Sequence, residues 1–419
     1  MTNKNFSLSM WLKYLENLDK KTIFNLFELK SIAKILDLLC LKSFIFTVGG
    51  TNGKGTTCAM LETLLLNSGY TVGLYTSPHL INYVERVRIN GCVLDENDHI
   101  DAFKNIEQAR NSTLLTYFEF ITLSALMLFK KHSLDVIILE VGLGGRLDAT
   151  NVIDANLSII TNISLEHTCI LGKDRESIAR EKSGIFRKNR IAVIGDIDIP
   201  NSIIKIAQKK KTILKIINID WFWKEKKSSW NFIHSNIQLY NLPKTYIPLS
   251  NTATALAALY YSGLKINEEI IRKYIVSVKV LGRFQIISTN PYIIIDVAHN
   301  PSAALFLSKQ INNINNIHIR GKIYAILGVL RDKDILGIIN YLKNKINYWY
   351  ITPLQTSRTV TKKQLKSICS KISNISIVNN LQEGYKKALI LAKKEDAILI
   401  FGSFFIVSEF FSLTMNKIL

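Results

Sequence analysis

Short apolar runs and helical stripes alternate along most of the chain. Residues Phe44 to Val48 are apolar and β-prone, and Gly49 and Gly50 follow them. After Lys54 the pattern becomes helical over Cys58 to Asn67, and Gly69 ends it. Thr71 to Tyr75 then reads as a second strand, so the segment is a β–loop–α–β unit opening a doubly wound sheet. A long apolar helix over Phe118 to Phe129 precedes a strand at Asp135 to Val141. Leu157 to Thr161 and Ile191 to Ile194 are short and apolar, as buried parallel strands are. Residues Leu214 to Pro248 are crowded with aromatic, charged and turn residues, which predicts a small antiparallel insertion, and a helix follows at Thr252 to Ser262. The last third repeats the rhythm, with strands expected at Tyr292 to Val297, Ile323 to Leu327, Tyr348 to Thr352 and Ala397 to Phe401. The predicted class is α/β. A P-loop-type, doubly wound, mostly parallel sheet with a small β insertion occupies residues 1–280. A hinge linker covers 281–290, and a Rossmann-like α/β domain covers 291–419.

Composition narrows the class. A chain of 419 residues is too long for one ordinary core. No apolar run reaches a membrane span: the longest, Ala397 to Val407, contains Gly402 and is broken by Ser408 and Glu409. Met1 to Asp19 is polar and then reads as a helix start, not as a signal peptide. A cytoplasmic protein without a membrane partner is expected. The five cysteines are odd in number and form no C-x-x-C pair, which argues against disulfide or thiolate-metal frameworks. The net charge of +20 invites a nucleic-acid reading. Only 13 of the 53 basic residues are Arg, however, and Lys, Ile and Asn are spread over the whole chain. A general compositional bias and a polyanionic small-molecule substrate account for the charge better.

The segment from Gly50 through Thr51, Asn52, Gly53, Lys54 and Gly55 to Thr56 follows a predicted strand and opens a helix. Its glycines let backbone N–H groups approach phosphate oxygens, and the helix N-terminus adds partial positive charge. Lys54 can bridge the outer phosphates, and Thr56 can reach phosphate or magnesium. Glu140 ends a predicted strand beside a glycine-rich turn, at the sheet edge where ligands bind. Taken alone, other residues read more plainly. His167 is a lone histidine, Lys182 a helix-face lysine beside Glu181, Arg283 one end of a linker ion pair, and Tyr117 and Phe118 ordinary core.

The phosphate-loop segment resembles that of the folylpolyglutamate synthase and dihydrofolate synthase family, within the Mur ligase superfamily. The resemblance continues in order through Thr76–Leu80, Glu85–Gly91, Glu140–Asn151, His167, Glu181–Arg187, Gly282–Gln285 and Asp296–Pro301. It implies an ATP-dependent ligase that adds L-glutamate to dihydropteroate and to reduced folates through an acyl phosphate, with extension of folates alone as the alternative. Another Mur-type ligase and a non-enzymatic nucleotide-binding module are the competing readings. By resemblance, Ser77, Glu140 and His167 are magnesium ligands, and Lys182, carbamylated, serves a second ion. Two Mg2+ ions, ATP as co-substrate and a monovalent cation are implied. ATP contacts are expected at Thr51, Asn52, Gly53, Lys54, Gly55, Thr56, Asn251, Arg283 and Asp296. Lys54, Lys182, Arg283 and His299 are the expected catalytic set. Thr116, Tyr117, Phe118 and Glu119 with Leu147, Asp148 and Ala149 are the expected pterin-binding segments. A monomer that closes at its hinge to exclude water is expected. The chain departs from the family at Phe24–Leu29, which lacks the usual Asp and Gly over the pterin and predicts weaker dihydropteroate binding. Glu166 stands for Asp, Ser183 for Ala, Leu281 for Pro, and Ser302 and Phe405 where His is common.

Overall fold

The computed structural model describes residues 6–18, 26–235, 237–312, 319, 321–370 and 372–415. The chain divides into two compact units, Met1–Lys279 and Val280–Leu419. Among the described residues no helix is long and apolar enough to cross a membrane.

The first unit is built on eight strands: β1 Phe44–Gly49, β2 Val72–Tyr75, β3 Val87–Ile89, β4 Cys92–Val93, β5 Val136–Glu140, β6 Leu157–Ile160, β7 Ile191–Ile194 and β8 Ile213–Ile216. Their order is β4-β3-β2-β5-β1-β6-β7-β8. All neighbours from β2 to β8 pair in parallel, while β3 and β4 add an antiparallel edge. Helices cover both faces of the central strands, so β2 and β5 are buried at every position and read as unbroken apolar runs. The helix Lys54–Asn67 is buried on nearly all sides, which is why its sequence shows almost no polar stripe.

The aromatic stretch forms a three-stranded antiparallel sheet, β9 Trp221–Glu225, β10 Ser229–His234 and β11 Ile237–Pro243. Trp221, Trp230 and Phe232 are buried, and the Phe232 ring stacks on Tyr260 of the helix Leu249–Ser262. One boundary differs from expectation. The start of the predicted insertion is β8, which pairs in parallel with β7 and closes the main sheet. Its partly exposed edge position gave it no distinct apolar run.

The second unit has six strands: β12 Gln285–Thr289, β13 Tyr292–Asp296, β14 Ile323–Leu327, β15 Tyr348–Ile351, β16 Ile375–Ile377 and β17 Ala397–Phe401, in the order β12-β13-β17-β14-β15-β16. All pairs are parallel except β12–β13. Half of the segment read as a linker, 281–290, is the antiparallel edge strand β12, whose mixed exposure hid it. Of the departing Phe24–Leu29 segment, Phe24 and Asn25 lie outside the described residues, and Phe27 begins the helix Phe27–Ile35.

Candidate functional site

The phosphate loop leaves β1 at the C-terminal edge of the first sheet and is tied to the chain beyond β6. Thr51 N–H donates to Asn162 O (2.9 Å) and Asn52 N–H to Asn162 Oδ1 (3.0 Å). Thr161 Oγ1 and Asn162 Nδ2 donate to Asn52 O at 2.7 and 2.8 Å. Glycine is required at Gly50, where φ is +145° and a Cβ would stand 1.8 Å from Thr161 Oγ1. Gly53, with φ +84°, caps the helix Lys54–Asn67; a Cβ there would lie 2.5 Å from Asn251 Oδ1. Asn251 Nδ2 donates to Thr56 Oγ1 (2.8 Å), and Thr56 Oγ1 donates to Gly53 O (3.0 Å). Asn251 therefore braces the loop's exit from more than 190 residues away.

Two lysines meet at one carbonyl. Lys54 Nζ donates to Gly50 O (3.1 Å) and Thr51 O (3.2 Å), and Lys182 Nζ donates to the same Gly50 O at 2.8 Å. Lys182 is buried. Burial first, and the nearby Lys54 charge second, lower its pKa from 10.5 to about 7. Its segment is held by close backbone packing and by Lys210. A Cβ on Gly145 would sit 2.9 Å from Lys182 O, and one on Gly184 2.2 Å from Arg146 Cα. Lys210 Nζ donates to Gly184 O (2.8 Å) and Phe186 O (3.1 Å) just beyond Lys182. Lys54, Lys182, Glu166 and His167 line one narrow cavity with Gly50, Thr51 and residues 141–144.

Glu140 ends β5 with its carboxylate against the first turn of the Lys54–Asn67 helix, 3.5 Å from where a Gly55 Cβ would be, and it accepts from Ser77 N–H at 3.0 Å. His167 caps the short helix Thr168–Leu171 in a left-handed conformation, its Nε2 3.9 Å from Glu166 Oε1. Among the described residues no three His, Cys, Asp or Glu side chains stand where they could hold a metal by themselves. Glu140 and Ser77 stand together through the Ser77 N–H, and His167 lines the cavity that holds Lys54 and Lys182. A hard cation near Glu140 would take oxygen ligands from that carboxylate, from phosphate and from water.

The expected pterin segments have structural duties of their own. Thr116 caps the helix Tyr117–His132, accepting from Glu119 N–H, while Glu119 Oε2 accepts from Thr116 N–H at 2.8 Å. The Phe118 ring stacks on Tyr75 and lies where a Cβ on Gly142 would be. Tyr117 and Phe118 are partly buried and pack against the first unit's main core, as the plain reading had it. Asp148 is buried and accepts from Leu143 N–H and from Thr150 N–H and Oγ1, bracing the glycine turn; burial raises its pKa. Ala149 is buried and Leu147 exposed.

In the second unit, Asp296 ends β13 and accepts from Phe284 N–H (2.7 Å) and Ala298 N–H (2.6 Å). Burial pushes its carboxyl pKa up, against the opposing pull of Arg283. His299 Nδ1 donates to Val297 O (2.8 Å), and the Arg283 guanidinium lies 5.5 Å from the Phe404 ring centre. These three expected nucleotide and catalytic residues gather at one edge of that unit's sheet.

The Mur ligase middle domain matches residues 48–287, and the Mur ligase glutamate ligase domain matches 282–404. A dihydrofolate synthase/folylpolyglutamate synthase from Buchnera aphidicola subsp. Acyrthosiphon pisum is 67% identical, over 99% of this chain and 100% of the relative. The chain belongs to the dihydrofolate synthase/folylpolyglutamate synthase family. Solved members of this family share the fold. E. coli FolC in complex with DHPP and ADP superposes with a TM-score of 0.94 at 44% identity, covering 99% of each chain. A bifunctional folylpolyglutamate synthase/dihydrofolate synthase with Mn, AMPPNP and L-glutamate bound gives 0.92 at 43% identity, covering 98% of this chain and 99% of that one. Against this family site, sequence reading missed the partners that position it: Thr161 and Asn162 under the loop, Lys210 behind Lys182, and Arg86 with His79 beside Tyr117. The Glu85–Gly91 motif was the one available signal for Arg86.

Proposed function

We propose that the protein is an ATP-dependent ligase that joins L-glutamate by an amide bond to dihydropteroate, giving dihydrofolate, and to reduced folates, extending their glutamate tail. One observation carries the assignment of the chemistry: Lys54 and Lys182 converge on Gly50 O within a helix-opening phosphate loop, with Glu140 and Ser77 paired at its mouth. A carboxylate is a poor electrophile. Its oxygen takes the γ-phosphoryl group of ATP, releasing ADP and forming an acyl phosphate. The glutamate amine then attacks the carbonyl carbon, phosphate leaves with the electrons of the broken C–O bond, and the amine loses a proton. Lys54 moves from the loop carbonyls to the transferring phosphoryl group and offsets its charge. The loop N–H groups and Asn251 orient the nucleotide.

The protein uses a nucleotide and a divalent metal ion. We assign two magnesium ions, one at Ser77, Glu140 and His167 and one at Lys182 as its carbamate; bound there, they neutralise phosphate charge. The low pKa of Lys182 supports the carbamate, because only a neutral amine adds to CO2. Nothing among the described residues is assigned to a monovalent cation. Arg283 and Asp296 as nucleotide contacts, and His299 as a catalytic group, rest on the family resemblance, as do a monomeric working unit and domains divided at 281–290. Five unpaired cysteines suit the reducing cytoplasm. The test offers purified protein, ATP, magnesium and glutamate with dihydropteroate or tetrahydrofolate in parallel, following phosphate release and product mass. Product from both acids is expected. Phosphate release stimulated by neither would sink the reading.

A further inference from the structure

Arg86 ends the short helix Tyr83–Arg86 and is only 7% exposed. A guanidinium stays charged at any pH a protein meets. Its surroundings do not answer that charge. Nε donates to His79 Nδ1 at 2.8 Å, and the guanidinium carbon lies 5.9 Å from the centre of the Tyr117 ring. Among the described residues no carboxylate pairs with it, and neither terminal nitrogen donates to any group. Arg110 is equally buried, and it pairs with Glu107 at 2.6 Å and also donates to Thr113 O. Arg88, two residues on, pairs with Glu62. The fold can therefore partner a buried arginine, and among the described residues it gives this one's terminal nitrogens no such partner. These nitrogens are not among the fully enclosed atoms that lack a partner, so they stay within reach of a ligand, and a ligand that supplies acceptors would answer the charge better than the sparse solvent of the cleft does.

The place of Arg86 says which ligand. Tyr75, Tyr83 and Tyr117 all feel its charge, which opposes the rise in pKa that burial causes in each. Phe118 stacks on Tyr75, and Tyr117 opens the helix whose first turn was assigned to the flat ring of the acid substrate. The substrate's carboxylate is committed to the phosphate loop, where it must be phosphorylated. The acceptors left for an arginine among aromatic rings are those of the flat ring itself, its oxo oxygen and its unprotonated ring nitrogens, and of these the oxo oxygen carries the most negative charge. We propose that Arg86 is a specificity-determining residue whose terminal amino groups donate to the oxo oxygen of the pterin ring bound beside Tyr117. This rests on the reading of Thr116–Glu119 and Leu147–Ala149 as the ring-binding segments.

The experiment compares dihydropteroate with its 4-amino-4-deoxy analogue, which carries a donor where the oxo acceptor stood, in the full-length wild type, Arg86→Lys and Arg86→Met. The wild type is expected to favour the oxo acid by about 10- to 100-fold in KM, the range for a lost hydrogen bond to a charged group. Arg86→Met is expected to raise KM for the oxo acid to that of the analogue, with kcat changed much less, and Arg86→Lys to fall between. Unfolding of the ligand-free proteins is a second readout. Removing a buried charge that no described carboxylate answers should leave the midpoint of Arg86→Met close to or above that of the wild type, whereas a merely structural arginine would lower it markedly. Equal KM changes for both acids, a loss confined to kcat, no discrimination by the wild type, or a marked fall in the midpoint would each overturn the proposal. If the wild type turns over neither acid, the ligase reading fails. Arg86 is then judged by equilibrium binding of the two acids, read from quenching of protein fluorescence, and equal or absent binding overturns it.

Discussion

Replacing Gly53 with alanine probes how the phosphate loop is built. Gly53 has φ +84°, and its added Cβ would come within 2.5–2.7 Å of Asn251 Oδ1, Nδ2 and Cγ. The backbone strain alone costs about 1–2 kcal/mol. Asn251 is buried and cannot retreat without giving up its 2.8 Å bond to Thr56 Oγ1. Leaving that buried pair unmade costs a further ~1–3 kcal/mol. Gly69→Ala supplies the control: φ there is +90°, yet nothing lies within 4 Å of the added Cβ. Gly69→Ala should show the strain without the collision, so the difference between the two variants isolates the Asn251 contribution. The assay is denaturant unfolding of both variants, with ADP titrated calorimetrically into each. Gly53→Ala should be less stable than Gly69→Ala by about 1–3 kcal/mol and bind ADP at least about tenfold more weakly. If the two variants are equally stable and bind ADP equally well, Asn251 does not brace the loop.

Lys54→Ala should keep its circular dichroism and unfolding midpoint while turnover falls by about 100-fold or more, as when one charge on a transferring group is removed; near-normal phosphate release would exclude Lys54 from the chemistry. Between about pH 7 and 10.5 the unfolded chain holds a proton that native Lys182 does not, so its contribution to stability rises with pH across that window, and below it folding bears the cost of the buried ammonium. Lys182→Met should flatten that slope in chelator-treated protein, and 13C-bicarbonate should give a carbamate carbon signal in the wild type that the variant lacks. Lys210→Met should weaken that carbamate signal and lower kcat more than it raises nucleotide KM, because Lys210 holds the carbonyls of Gly184 and Phe186 that fix the Lys182 segment; an unchanged signal would contradict this role.

The strands that the sequence declared are those buried on both faces. β1, β5, β13, β14 and β17 have no polar face to interrupt them, so each is a short continuous apolar run. Apart from the short β3, which pairs with β4 and β2, the strands it hid are at edges. β4 has both residues exposed, β12 is half-exposed throughout, and β16 is three residues long. At an edge one face and one ladder are open, so selection on side chains relaxes and periodicity fades. The aromatic insertion was legible because three strands with a single covered face must crowd large side chains there, as Trp221, Trp230 and Phe232 do.

Within the site, legibility follows sequence distance. Gly50 to Thr56 can be read because strand, turn and helix N-terminus are contiguous and each residue type answers a local need. The groups that hold that loop lie about 110 residues away at Thr161 and Asn162 and 195 away at Asn251, and no local pattern marks them. Lys182 is the limiting case. On a helix face beside Glu181 it reads as a solvated lysine, and only the close approach of Gly145 and Gly184 to their neighbours buries it. Burial then brings its ammonium to the carbonyl that already takes Lys54. Two cations sharing one acceptor repel each other. The conflict is relieved when a polyphosphate draws Lys54 away, or when Lys182 loses its charge and gains the negative charge of a carbamate. In the second case the Lys182 Nζ would keep one hydrogen for Gly50 O, and a negative group beside Lys54 would turn repulsion into attraction. Burial lowers the pKa of Lys182 first and the Lys54 charge second, and that second cause, two cations held at one carbonyl, is also what fits the loop to receive anions.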